Sequence, residues 1–419
     1  MKNAGRLATG LVYWAASVVS ACEGRAESPR PQVTVVENGE SKVGSDECRG
    51  VIVGPGVNQP DPFPGYAGFV GWESPIRLAS GDWIVGFNAG YWHASAATPL
   101  QYTPENLEAY LQMGMPANVE APTGGRAMFV RSTDEGKTWS KPETLIDTPA
   151  DDRHPAFVQL ADGTIVCSFF IYHGDEPVNE DPNFVPEPHV FFVRSFDDGR
   201  TWEQTPHPLG TPHFHETDGP LVRVKDGSII VAVNGHPHGP PDEAGVFRST
   251  DGVKWEHLST VKADHDLHEV TVAELPDSRW VMMARPEGDI CWSSDQGKTW
   301  TPPATFGMRM YAPSLTVLRD GTLLCLHGSY APGFSGLRAI FSTDGGATWI
   351  APAKDHGFLV DNSYGYGKPM ELEDGSLFIS YIATGGHGAA DAANNAVRSI
   401  RMRVRDDHAG IDLLPAPNR

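Results

Sequence analysis

Positive charge is scarce in this chain. Its 32 lysines and arginines stand against 53 aspartates and glutamates, a formal net charge of −21 at pH 7. No basic stripe exists to replace the counterions of a phosphate backbone, so no nucleic-acid partner is expected. Long amphipathic helical stretches are nearly missing, while 45 Gly and 35 Pro punctuate the 419 residues. That combination points to an all-β protein rich in turns. Cysteine is sparse, five in all. Cys167, Cys291 and Cys325 sit in apolar strand-like runs, with Cys48 nearer the N-terminus. No CxxC or HxxxH spacing marks a zinc site, and no cofactor or metal is expected. A chain of this size needs no disulfide framework, so buried free thiols are the expectation.

One charge-free apolar run is present, Leu7 to Ala21, preceded by Lys2 and Arg6. It is short for a membrane span and reads as an export signal. It ends in Val19-Ser20-Ala21-Cys22, which resembles a bacterial lipobox with Cys22 as the lipidated residue; an ordinary cleaved signal is the alternative. The expected organisation is a signal over 1–22, a polar flexible tether over 23–45, and one domain over 46–419. The location expected is periplasmic or cell-surface, with membrane contact only through the anchor, or otherwise secreted.

What the chain has in abundance is a repeated phrase. VRSTDEGKTW ending at Trp139 returns as VRSFDDGRTW at Trp202, SSDQGKTW at Trp300 and FSTDGGATW at Trp349, with a clipped RSTDGVKW at Trp255. Six alternating hairpins with Asp-Gly-type turns accompany these copies, such as PAFVQLADGTIVCSFF and PSLTVLRDGTLLCLHG. A four-stranded unit of this kind cannot cover its own faces, so repetition around an axis is expected. Within the phrase, Asp and Ser or Thr tie a turn, Gly takes the special dihedral, and Trp packs between units. The sixth unit lacks the phrase. Its outer strands are expected from AVRSIRMRVRD and from an N-terminal strand near RGVIVGPG, which would close the ring.

Five such Asp-boxes on six hairpins resemble the sialidase (neuraminidase) superfamily of six-bladed β-propellers, over roughly residues 50–410. The resemblance implies a ligand mouth at one end of the axis, on the loops flanking the innermost strands. It implies Glu269 and Arg285, sixteen residues apart in HEVTVAELPDSRWVMMAR, as the activating base and a substrate-binding arginine. Tyr366 in YGKPMELEDGSL stands where the family's nucleophile would be. The chemistry is coherent, because a phenol with pKa near ~10 attacks only when a carboxylate takes its proton. In the plainer reading Glu269 caps a turn and Tyr366 is a packing aromatic.

The departures from the family pattern are equally specific. The Arg-Ile-Pro word that supplies the first of three clamping arginines is replaced by GWESPIRLASGDW, with Glu73 or Gly71 near that position and Arg77 inside the strand. Arg153 then supplies a charge from a different direction, and Arg338 is the candidate for the third arginine, with Arg309 behind it. The acid/base Asp is missing from GYWHASAATP, which leaves His93, with Asp175 more distant. Histidines recur at hairpin ends: His154 and His268 before first strands, His173, His236 and His327 after second strands, and Tyr311 joins them as a substrate-binding candidate. The implied function is hydrolysis of a terminal glycosidic bond, with a carbohydrate as partner. A polysaccharide lyase or His-dependent glycosidase on the same propeller, or a non-catalytic glycan-binding lipoprotein, remain open. The insertion PENLEAYLQMG is expected as a short helix, either overhanging the mouth or packed as a satellite core.

Overall fold

The computed structural model describes residues 30–36, 47–54, 57–58, 69–90, 125–148, 150–172, 189–211, 213–329, 331–383 and 395–416. Six sheets built on antiparallel hairpins follow one another along the chain, with no helix among the described residues, and the architecture is a six-bladed β-propeller. The innermost strands are Phe69–Arg77, Asp151–Gln159, Phe214–Glu216 continued by Val222–Arg223, His268–Glu274, Met310–Val317 and Gly365–Glu371. Each pairs with the second strand of its hairpin across a tight turn, Asp-Gly in blades 2, 3, 5 and 6 and Ser80-Gly81 in blade 1. Blade 4 replaces the turn glycine with Ser278, which accepts a left-handed φ of 70°.

Ring closure is as the strand pattern predicts. Arg49–Val53 pairs antiparallel with Val397–Val404 and completes blade 6, so the first and last parts of the propeller share a sheet. Arg49 also bonds Asp361 at 2.6 Å, tying the closing strand to blade 5. Within the stretch expected to be a flexible tether, Gln32–Val35 instead forms a strand parallel to Thr348–Ala351 of blade 5. The lipobox-like residues and the candidate helix lie outside the described residues.

The Asp-box works as a local clasp. Ser132 Oγ accepts the Gly136 N–H at 2.9 Å and donates to Asp134 at 2.8 Å. Asp134 in turn accepts both the N–H and the hydroxyl of Thr138, at 2.8 and 2.7 Å. Those bonds hold the Asp134 carboxyl down at about 2. The same pattern recurs at Ser195, Ser293 and Ser342, and the clipped copy closes one residue sooner, from Gly252 to Ser249. Each box tryptophan then reaches the preceding blade: Trp202 meets Phe129, Trp255 stacks on Phe192 at 4.2 Å, and Trp139 meets Phe378. Six apolar clusters fill the six gaps between neighbouring blades. The cores are thus between blades, and no blade is stable alone. Ser342 is fully buried, and Ser342→Ala leaves the Gly346 N–H without its acceptor. The variant is expected to lose about 1–3 kcal/mol in urea unfolding; an unchanged midpoint would show that the clasp is decorative.

Cys48, Cys167, Cys291 and Cys325 are free and buried, as expected. Burial pushes the Cys325 thiol up to about 12, which keeps it protonated and inert.

Candidate active site

A bulge builds the mouth. Every innermost strand carries one extra residue near its start relative to its partner, for example Gly71 to Ser74 against Asn88 to Gly86. In five blades a non-glycine residue at this bulge adopts a left-handed φ: Trp72 (50°), His154 (53°), Glu269 (47°), Ala312 (46°) and Tyr366 (61°). Left-handed backbone costs non-glycine residues on the order of 1–3 kcal/mol each, and such strain collects where side chains must be re-aimed. Three of the five are polar residues already expected at the mouth.

The bulges of blades 4 and 6 bring the expected pair into contact. The Tyr366 hydroxyl donates to Glu269 Oε1 at 2.5 Å, across 97 residues of sequence. Arg285, at the end of the second strand of blade 4, donates to the same oxygen at 2.6 Å. Glu269 Oε2 accepts the Ala312 N–H at 2.5 Å, so the blade 5 bulge supplies a backbone donor to the carboxylate. Burial pushes the Glu269 carboxyl above its ordinary value; Arg285 pulls it down and Asp218 pushes it further up. Burial and the Glu269 charge raise the Tyr366 phenol well above its ordinary range, so the phenol rests protonated.

A second layer lies against this pair. His154 stacks on Trp72 with centroids 4.9 Å apart and presents an edge to Tyr366 at 6.0 Å. Its Nδ1 pairs with Asp218 at 2.8 Å. Burial pushes Asp218 up, but His154, Lys368 and Arg285 outweigh it and hold the carboxyl below its ordinary value. Lys368, buried, donates to the Asp218 carbonyl at 2.8 Å. Glu73 is also buried, and burial raises its carboxyl well above the ordinary range despite the nearby Lys368 charge. A buried acid therefore stands next to the bulge residue Trp72.

The other expected site residues divide. Arg153 is at the mouth, but it is bonded to Asp151 at 2.7 Å and lies between the rings of Trp72 and Tyr172, 4.8 and 4.1 Å from their centroids. Tyr311 lies flat against Gly328, where a Cβ would strike its ring, and its hydroxyl donates to the Tyr364 carbonyl. Its ring packs beside Tyr366, with centroids 5.8 Å apart. Arg338 is not joined to the Glu269 group: it is buried within blade 5 and donates to the carbonyls of Phe334 and Gly357, both at 2.7 Å. Arg309 pairs with Glu287, and Arg77 with Glu373.

His327 is a correction. It is 0% exposed, its Nδ1 faces the Gly328 carbonyl, and burial lowers it to about 4, so it is a neutral core residue and not a substrate ligand. The strand Leu323–Ser329 runs past the expected hairpin end, so His327 lies within it and not after it. His236 and His268 gather on blades 3 and 4 around Asp242, at 2.8 and 3.3 Å. His93, His173 and Asp175 lie outside the described residues. The sequence reading assigned no role to Lys368, Trp72 or Asp242, and it did not pair Asp218 with His154. A lysine inside the strand pattern of YGKPMEL was the one signal available for them.

Residues 177–332 match the family model described as a BNR repeat-like domain. Among curated proteins none matches the chain. The fold is similar to a protein of unknown function from Dyadobacter fermentans, at TM-score 0.61 and 22% identity over 85% of this chain and 98% of that one. It is also similar to the NanB sialidase of Streptococcus pneumoniae, at TM-score 0.55 and 13% identity over 83% and 71% of the two chains. A third similar structure is the intramolecular trans-sialidase of Ruminococcus gnavus in complex with oseltamivir carboxylate, at TM-score 0.54 and 14% identity over 82% and 97%.

Proposed function

From a propeller of the sialidase-superfamily fold, with Glu269, Tyr366 and Arg285 joined at its mouth, we propose a glycoside hydrolase that removes terminal sugars from glycans with retention of configuration. The observation that carries this reading is the Tyr366–Glu269 hydrogen bond. Tyr366 attacks the anomeric carbon as Glu269 takes its proton; the C–O bond to the leaving group breaks and a glycosyl-tyrosine forms. Water then attacks that intermediate and gives its proton to the group that had protonated the leaving oxygen, while the Tyr366 oxygen leaves and takes its proton back from Glu269. Arg285 compensates the carboxylate and faces the sugar.

The leaving oxygen needs a proton from a separate group. Among the described residues we favour His154, whose Nδ1 pairs with Asp218 and whose ring edge faces Tyr366. His93, the acid/base residue suggested by loop position, is the alternative donor. We also propose export, with lipidation at Cys22.

The test is turnover of aryl glycosides of keto-acid, uronic and neutral sugars, with the first-formed anomer read by NMR. Retained product from one class is expected. An unsaturated product from anionic polysaccharides would replace hydrolysis with a lyase reaction, and binding without turnover would leave a lectin. The pH profile gives an independent reading. Glu269 must be ionised to accept a proton, and its folded pKa is raised. The acid limb of kcat/KM is therefore expected above the ordinary glutamate value of about 4.3, with activity lost as pH falls through it.

A further inference from the structure

Beside the mouth, blade 3 collects a group of side chains for which glycoside hydrolysis supplies no role. His215 comes from the innermost strand, Phe214–Glu216, and His236 and Asp242 from the connection between Ile229–Gly235 and Glu243–Ser249. His215 Nε2 lies 3.4 Å from Asp242 Oδ2, and His236 Nδ1 lies 2.8 Å from Asp242 Oδ1. The two imidazoles are 5.0 Å apart and inclined at 58°. One ligand atom from each residue fits within a 4.8 Å span.

We propose that His215, His236 and Asp242 form a divalent transition-metal site, with zinc as the natural occupant. A tetrahedral zinc with bonds of about 2.0–2.1 Å sets its ligand atoms about 3.3–3.4 Å apart. The 3.4 Å separation matches that edge and the 2.8 Å one is shorter, each to a different Asp242 oxygen; with the three ligand atoms inside 4.8 Å, side-chain rotation closes the set on one ion. Two imidazoles with one carboxylate select zinc or its neighbours over magnesium and calcium, which prefer all-oxygen sets. The site is open on one side. Asp242 is buried, whereas the His236 side chain is 51% exposed, so a fourth position faces solvent, as in zinc sites that bind water or substrate.

The surrounding bonds are those that orient metal ligands. The Asp242 N–H donates to Asp266 at 2.9 Å, and His268 stands 3.3 Å from the Asp242 carboxylate. Asn234 approaches His268 at 3.4 Å, donates to Glu216 at 3.1 Å beside His215, and accepts the Glu269 N–H at 3.3 Å. The site is therefore linked to Glu269 through two residues, His268 and Asn234, yet metal binding itself does not depend on the hydrolytic reading.

The experiment uses the full chain without a polyhistidine tag, stripped with chelator. Zn2+ is titrated by calorimetry and Co2+ by visible absorption. One ion per chain with tetrahedral Co2+ bands is expected. His236→Ala removes an exposed side chain and spares the core; it is expected to weaken binding by more than the roughly 10–100-fold typical of an outer-shell partner. Tyr366→Phe, outside the site, is expected to bind as the parent does. Absence of saturable binding would overturn the site. So would binding that survives His215→Gln with His236→Ala in a variant whose melting is unchanged, because the ion would then sit elsewhere.

Discussion

Tyr366→Phe is expected to lower kcat/KM on the turned-over glycoside by about 10⁴-fold or more, the scale of losing a covalent nucleophile. The substitution removes one oxygen and little else. The ring keeps its packing against Phe69, Trp72 and Ile382. Glu269 keeps its bonds from Arg285 and the Ala312 N–H, so no acceptor is orphaned. Stability should therefore change by no more than about 1 kcal/mol, the net worth of one hydrogen bond. Activity within tenfold of the parent would remove Tyr366 from the chemistry. The imidazole of His154, held by Asp218, would then be the leading proton-transfer group, and the search would move to lyase products.

The second large effect concerns Lys368, a cation enclosed by acids. Its ammonium is buried beside Asp218, Glu73 and Glu269, and burial lowers its pKa while those carboxylates raise it. Lys368→Met keeps most of the volume but leaves the acids uncompensated. Breaking a buried pair in this way costs about 3–5 kcal/mol. The pH dependence has a definite sign. Without the nearby ammonium, the folded-state pKa values of Glu73 and Asp218 rise. A carboxyl whose folded pKa is raised loses stability as pH climbs above its unfolded value, near ~4 for these groups. The deficit of the Met variant should thus be larger at pH 8 than at pH 5, measured by guanidinium unfolding at both. An equal deficit at both values would mean that no acid around Lys368 changes its protonation between pH 5 and pH 8.

The architecture was legible from the chain because its signals are local. The Asp-box is made of bonds two to four residues apart, such as Ser132 to Asp134 and Asp134 to Thr138, so spelling and structure coincide. The hairpins are equally short-range, and their number is the number of blades. Even ring closure followed from counting, since a blade lacking its outer strand must borrow Arg49–Val53. Glu269, Arg285 and Tyr366 were located through the superfamily resemblance, on residues whose spacing within a blade that family shares.

Tertiary structure decided the rest. The bulges that re-aim Trp72, His154, Glu269 and Tyr366 leave no mark in a pattern of alternating hydrophobicity, because one extra residue disturbs register without changing composition. His327 and His154 both flank blade hairpins, yet one is a neutral core residue and the other faces Tyr366. Arg338 looked free to clamp an anion until two carbonyls of its own blade claimed it. The Lys368 to Asp218 contact joins residues 150 positions apart. Contacts across the propeller axis depend on how six wedges close around it, and no single strand encodes that geometry. The chain by itself determined what repeats and how often; the closed ring determined which polar residues meet, with which charge, and at what distance.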